Sequence, residues 1–316
     1  MDNQDTNPQP STLMRSLRRL PLLRAYPALQ AAKAQVRELR QQVRALTADV
    51  ARAKQVASQR ELALQSASGL HLLATPAFDE AQLAEIARTC AAAYRAADPF
   101  PHLIEDGVFN PSLLERVLEE FEAMQRGDWH HTEAPQERKW STESARQLGP
   151  MTSALIAQLN SGPFVGFLES LTGISGLVPD PHLRGGGLHE IRPGGLLGVH
   201  ADFNVHPRLK LYRRLNLLIY LNKDWQESWG GALELWDRAG QRCVRSVLPV
   251  FNRTVLFDTS NFSYHGHPHP LACPPDRSRK SVALYYYSLE CPTEADREAH
   301  GTLFLEQGPR AGETIP

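Results

Sequence analysis

The chain has 316 residues, 42% hydrophobic and 22% charged, with a formal net charge of −1. That length holds one large domain with an appendage, and the balanced charge gives no sign of a nucleic-acid-binding protein. No run approaches the ~20 apolar residues of a membrane helix, and "LMRSLRRLPLLRAYP" places charges inside the one segment that could pass for a leader. The cysteines Cys90, Cys243, Cys273 and Cys291 have no CxxC spacing, which suits free thiols in a reducing, cytoplasmic setting.

In chain order, residues 1–27 read as a disordered, then basic, N-terminal segment: the first dozen residues are polar, and Ser11–Arg60 carries eleven Lys/Arg against two acids. Residues 28–67 read as a coiled-coil helix. Leu29, Val36, Val43, Val50, Ala57 and Leu64 share one heptad position, and Ala32, Leu39, Leu46, Ala53 and Arg60 share the other. β-Branched residues at the first position with Leu at the second favour a parallel dimer, so a homodimer through residues 29–64 is expected. One amphipathic helix packed on its own domain is the other reading. Residues 68–98 form a connecting segment with a helix over Thr75–Ala97. "DPFPHLIEDGVFN" is then extended, and "NPSLLERVLEEFEAM" is a helix capped by Asn110 with Pro111 in its first turn. After the polar loop "GDWHHTEAPQERKW", which could act as a lid, "TSALIAQLN" and "FVGFLESLTGI" read as two further helices.

From about residue 183 the pattern changes to short strands bounded by Gly, Pro, Asn and Asp, with no helix between them. That describes an antiparallel barrel or jelly roll rather than a βαβ sheet. The fold class expected is α+β, mainly β: a double-stranded β-helix core with a supporting helical layer and an N-terminal coiled-coil helix. The domain spans 99–292 and a C-terminal tail spans 293–316.

"VHADF" carries the candidate chemistry. In a strand, residues i and i+2 face one way, so His200 and Asp202 can aim an imidazole and a carboxylate at one point. A His from another strand would complete a 2-His-1-carboxylate triad, which leaves coordination positions open on iron. "SYHGHPHP" offers His265, His267 and His269, which alternate and could all face one way. His189 in "GLHEIRPGG" lies near the barrel mouth, where a substrate contact and a hydrogen-bonded strand His are both open readings.

Five blocks in order resemble the 2-oxoglutarate/Fe(II) dioxygenase superfamily, in its prolyl 4-hydroxylase-like branch: "PFPHLIEDGVFNPSLLERVLEEFE", "RPGGLLGVHADF", "LNLLIYLNKDWQESWGGALELWD", "FNRTVLFDTSNFSYHGHPHP" and "RSRKSVALYYYS". The resemblance implies His200, Asp202 and His265 as Fe(II) ligands. It also implies Arg279 and Tyr220 as the residues that take the distal carboxylate of 2-oxoglutarate, a role a planar guanidinium suits. Fe(II), 2-oxoglutarate and O2, with ascorbate as reductant, are the implied cofactors. The implied reaction hydroxylates an unactivated C–H and releases succinate and CO2. Its expected target is a prolyl residue in a protein or peptide, with a free amino acid or natural-product intermediate as the alternative. A coiled-coil assembly protein with a vestigial barrel is the non-enzyme alternative.

Overall fold

The computed structural model describes residues 30–47, 50, 75–124, 129–142 and 144–305. The chain divides at Gly69 into two units. In the first, residues 30–47 form helix α1, and Val36, Leu39, Val43 and Leu46 of the heptad seam are exposed, as is Val50. The residues before 30, and seam positions Ala53, Ala57, Arg60 and Leu64, lie outside the described residues.

The second unit begins with helices α2 (Glu80–Arg95), α3 (Pro111–Ala123), α4 (Pro150–Leu159) and α5 (Gly162–Thr172). Helix α2 starts later than the Thr75–Ala97 pattern suggests. Asp79 is its cap, accepting from the Ala81 N–H, while Phe78 makes a bridge to Phe109. Asn110 caps α3 as expected, accepting from the Ser112 and Leu113 N–H groups, an interaction of about 1 kcal/mol. Gly173 ends α5 in the left-handed conformation (φ 80°).

Thirteen strands follow or interleave: β1 (His102–Asp106), β2 (His130–Ala134), β3 (Glu137–Ser141), β4 (Val178–Pro179), β5 (Gly187–Ile191), β6 (Leu197–Ala201), β7 (Tyr212–Tyr220), β8 (Leu233–Trp236), β9 (Cys243–Val247), β10 (Arg253–Asp258), β11 (His265–His267), β12 (Arg279–Ser288) and β13 (Leu303–Phe304). Their order is β1-β10-β7-β12-β5-β3-β6-β11-β8-β9. One face of the barrel is β10-β7-β12-β5, the other β6-β11-β8-β9, and from β5 onward successive strands cross between them except at the β8–β9 hairpin. This is a double-stranded β-helix.

Strand β7 explains why "LNLLIYLN" is apolar almost throughout. Leu215, Leu217 and Ile219 pack with Leu113, Leu155 and Leu168 of the helices. The opposite face turns Tyr220 toward Leu233, Leu235, Val255 and Phe257 inside the barrel. A strand buried on both faces has no polar side to alternate with.

Two segments differ from the sequence reading. "GDWHHTEAPQERKW" supplies the β2–β3 hairpin rather than a loop, with His131 stacked on its cross-strand partner Trp140 at 4.1 Å. Strand β3 pairs with both β5 and β6 and so joins the two faces of the barrel. Its polar composition hid it, because a short bridging strand needs ladder hydrogen bonds more than an apolar face. Residues 293–305 are not a tail: β13 pairs with β6, Phe304 opposite His200. Asn204 clamps this segment by donating to the Asp296 and Glu298 carbonyls, and its own carbonyl accepts from the His300 N–H.

Helix layer and barrel also meet through a buried polar contact, in which Tyr94 Oη donates to the Asp258 carboxylate at 2.5 Å. Burial pushes the Asp258 carboxyl up to about 6, against the opposing pull of the Tyr94 hydrogen bond and Arg214. Its folded value exceeds its ordinary 3.8, so its contribution to stability is complete below that value and is lost as pH rises through about 6. Asp258→Asn is expected to flatten the dependence of melting temperature on pH between about 4 and 6. An unaltered profile in thermal melts would remove Asp258 as its source.

Candidate metal centre

His200 lies on β6 and His265 opens β11, and the ladder sets them directly opposite each other. Their ring centroids are 4.5 Å apart. Each ring is fixed from behind: the His200 Nδ1–H donates to the Gly198 carbonyl (2.8 Å) and the His265 Nδ1–H to the Ser263 carbonyl (2.9 Å). A carbonyl only accepts, so the proton sits on Nδ1 and the Nε2 lone pair is free to bind a metal. Both Nε2 atoms lie 3.5 Å from Asp202, one from each carboxylate oxygen. The three ligand atoms are within 4.8 Å of one another, a spacing at which one divalent cation can take all three. Burial lowers the His265 imidazole to about 4 despite the opposing charge of Asp202, so the ring is neutral and ligand-competent at neutral pH.

Asp202 has further partners that the sequence reading did not use. Its Oδ2 accepts from Asn216 Nδ2 at 2.7 Å and faces Arg213 Nη2 at 2.9 Å. Arg213 also donates through Nε to Asn216 Oδ1 at 3.0 Å. Its guanidinium lies 3.4 Å from the Tyr285 ring centre and 4.7 Å from that of Phe203. Burial alone would raise the Asp202 carboxyl. The Arg213 guanidinium and the imidazoles of His265 and His200 outweigh it and hold the group well below the usual carboxylate range. Strict alternation along β7 would put Arg213 on the helix side with Leu215 and Leu217. An irregularity in the β7–β12 ladder, where Leu215 and Arg213 face the successive residues Tyr286 and Tyr287, turns Arg213 inward, and Arg214 donates to the Ser288 hydroxyl. Phe304 and Phe257 wall the two imidazoles, at 5.2 and 4.7 Å.

Arg279 and Tyr220 are also brought together inside the barrel. Both are buried, at 5% and 0% exposure, and Arg279 Nη2 donates to Tyr220 Oη at 3.1 Å. Arg279 Nε donates to the Gly231 carbonyl at 2.7 Å. A Cβ on Gly231 would come within 2.6 Å of Leu271 and 3.1 Å of Arg279, so only glycine lets the Arg279 side chain lie there. Among the described residues, no carboxylate lies within ion-pair distance of Arg279. This buried cation fits the anionic end of a bound diacid. His267 is buried and lies outside the three-ligand cluster, and His269 is exposed. His189 Nε2 donates to the Gly185 carbonyl at 3.0 Å, and burial lowers its imidazole to about 3.

Beside Phe203 a cavity of about 750 Å³ opens to solvent, with Lys139, Arg184, Arg208 and His300 in its wall. The four cysteines are free, and no helix among the described residues is long and apolar enough to cross a membrane.

Residues 186–287 match the sequence model of the 2OG-Fe(II) oxygenase superfamily. The match takes in all of His200, Asp202, Tyr220, His265 and Arg279. The chain is similar to mouse prolyl 3-hydroxylase OGFOD1, with 30% identity over 79 residues. That stretch covers 24% of this chain and only 14% of the relative. Among solved structures it is similar to a Trichoplax adhaerens prolyl hydroxylase in complex with a hypoxia inducible factor peptide fragment. The TM-score is 0.49 and the identity 17%, covering 66% of this chain and 92% of that one. A Pseudomonas putida prolyl-4-hydroxylase is also similar, with a TM-score of 0.47 and 15% identity over 66% of this chain and 100% of that one.

Removing a partner that orients a ligand carboxylate weakens metal binding by about 10- to 100-fold. Asn216→Ala is therefore expected to weaken Mn(II) binding by about that factor, read by electron paramagnetic resonance titration. Equal affinity in the two proteins would show that Arg213 orients Asp202 alone.

Proposed function

We propose that the chain is an Fe(II)- and 2-oxoglutarate-dependent dioxygenase that hydroxylates a prolyl residue in a protein or peptide. In this reading His200, Asp202 and His265 hold Fe(II), while Arg279 and Tyr220 bind the distal carboxylate of 2-oxoglutarate. The observation that carries it is the pairing, inside one barrel, of a buried two-imidazole, one-carboxylate cluster with a buried arginine that has no carboxylate of its own. The donor set suits a divalent first-row metal with open positions, and the arginine suits a diacid. Bound iron and co-substrate supply the oxidising power, with O2 consumed, succinate and CO2 released, and ascorbate as reductant. The barrel orients them and keeps water away.

The polypeptide target is supported by the open cavity beside Phe203 and by the similarity to a prolyl 3-hydroxylase. Succinate release measured across proline-containing peptides, free amino acids and small amines tests it. Peptide-dependent turnover that Asp202→Ala abolishes is expected. Turnover with free amino acids alone would make this a small-molecule hydroxylase, and turnover retained in Asp202→Ala would overturn the iron assignment.

The oxygenase domain in this reading spans residues 99–292 and continues through 305. The exposed seam Val36, Leu39, Val43, Leu46 and Val50 suits a second copy of this chain in a parallel coiled coil. Light scattering on the full chain should give twice the mass of one chain, and Leu39→Lys with Leu46→Lys should halve it. A single-chain mass for the wild type would exclude the dimer.

A further inference from the structure

The histidine cluster on β11 contains one side chain that the metal centre does not use. His267 follows His265 by two residues, so the two rings project from the same face of the strand. The irregularity between β6 and β11 falls on the β6 side, where Leu197 and His200 face His267 and His265, and leaves β11 alternation intact. His267 is 2% exposed, and neither ring nitrogen has a hydrogen-bond partner. The charged groups that bear on its ring are Arg279, His200 and Lys139. It therefore lies beside His265 on the strand that carries the metal cluster, within the electrostatic reach of Arg279.

A buried imidazole with both hydrogen bonds unmade is costly, and an apolar side chain would fill the same space without that cost. The ring feels the charges of Arg279 and Lys139 and offers an N–H. What would satisfy it is an acceptor that also carries negative charge. We propose that His267 is a co-substrate-positioning residue, whose ring N–H donates to a carboxylate oxygen of 2-oxoglutarate held between the His200–Asp202–His265 cluster and Arg279. This rests on the reading of the site given above. It assigns to this chain a third contact on the diacid beside Arg279 and Tyr220. A hydrogen bond from a neutral donor adds direction without adding another buried cation beside Arg279. It also favours a co-substrate with an acceptor at that point over an isosteric acid without one.

The test uses the full chain, anaerobic and loaded with Fe(II), titrated with 2-oxoglutarate while the visible charge-transfer absorption is followed. His267→Leu should weaken 2-oxoglutarate binding by about tenfold or more, the worth of a hydrogen bond to a charged group. Mn(II) affinity, measured without co-substrate, should stay at the wild-type value. His267→Asn, which restores an N–H donor, should recover part of the loss. Co-substrate affinity within about twofold of wild type in the Leu variant would overturn the proposal, since lost hydrogen bonds to charged groups cost more. A measurement on the wild type stands independent of whether the variants fold. In the Zn(II)-loaded chain, 2-oxoglutarate should shift the ring 15N resonances of His267, and unmoved resonances with the co-substrate bound would overturn it. A wild-type chain that binds metal but no 2-oxoglutarate would overturn this inference together with the co-substrate assignment. A chain that binds both, with His267 unaffected, would overturn the inference alone.

Discussion

An ionised carboxylate inside a barrel is the constraint on which the rest of the centre depends. Asp202 has two imidazoles at 3.5 Å and is 12% exposed. Without compensation such a group would take up a proton and lose its value as a ligand. Arg213 keeps it charged, and the solution moves the difficulty one step outward, because Arg213 is itself fully buried. Its guanidinium is accommodated by the faces of Tyr285 and Phe203 and by Asn216, so one ion pair becomes a set of five side chains from β7, β12 and the turn after β6. Removing either charge would leave the other buried and unpaired, which is far more costly than removing both.

That set is stiff because Arg213, Asn216 and Tyr285 belong to strands held from two sides. The outer face of β7 carries Leu215, Leu217 and Ile219 into the helix layer, while the strand's N-terminal part delivers Arg213 and Asn216 to Asp202. The inner aromatic wall is completed from far away in sequence. Asn204, two residues after Asp202, gathers residues 296–300, and β13 then lays Phe304 beside His200. Ligand, clamp and wall are thus covalently close at one end and joined through the ladder at the other. A shift of β6 would disturb all three together.

The sequence disclosed those parts of the fold whose physical signature is local. The Asn110–Pro111 start of α3, the strand runs after residue 183, and the i, i+2 spacing of His200 and Asp202 all follow from short-range rules. What escaped was set by tertiary partners. The β2–β3 hairpin is polar because it bridges two faces rather than covering a core. Residues 293–305 read as a tail because their anchor, Asn204, lies some ninety residues earlier and has no periodic signature. Asn216 and Arg213 escaped as well, since nothing in "YRRLN" announces the ladder irregularity that lets both face Asp202. Among the three histidines of "SYHGHPHP", spacing alone left the choice open. The register of β11 against β6 is what sets His265 opposite His200.

The two buried arginines show the same physics put to opposite uses. Arg213 has an internal carboxylate at 2.9 Å and is part of the scaffold. Among the described residues, Arg279 has a carbonyl and a phenol as partners, at 2.7 and 3.1 Å, neither of which cancels its charge. A fold that wanted only stability would place an apolar residue at Arg279, since a buried cation without an anion is paid for elsewhere. The unmet charge makes sense if the missing anion arrives as a ligand, and the two orphaned nitrogens of His267 beside it carry the same implication. The barrel interior is thus polarised, self-neutralised around Asp202 and electron-poor toward Arg279. A dianion that anchors one carboxylate at each end would lie along that gradient.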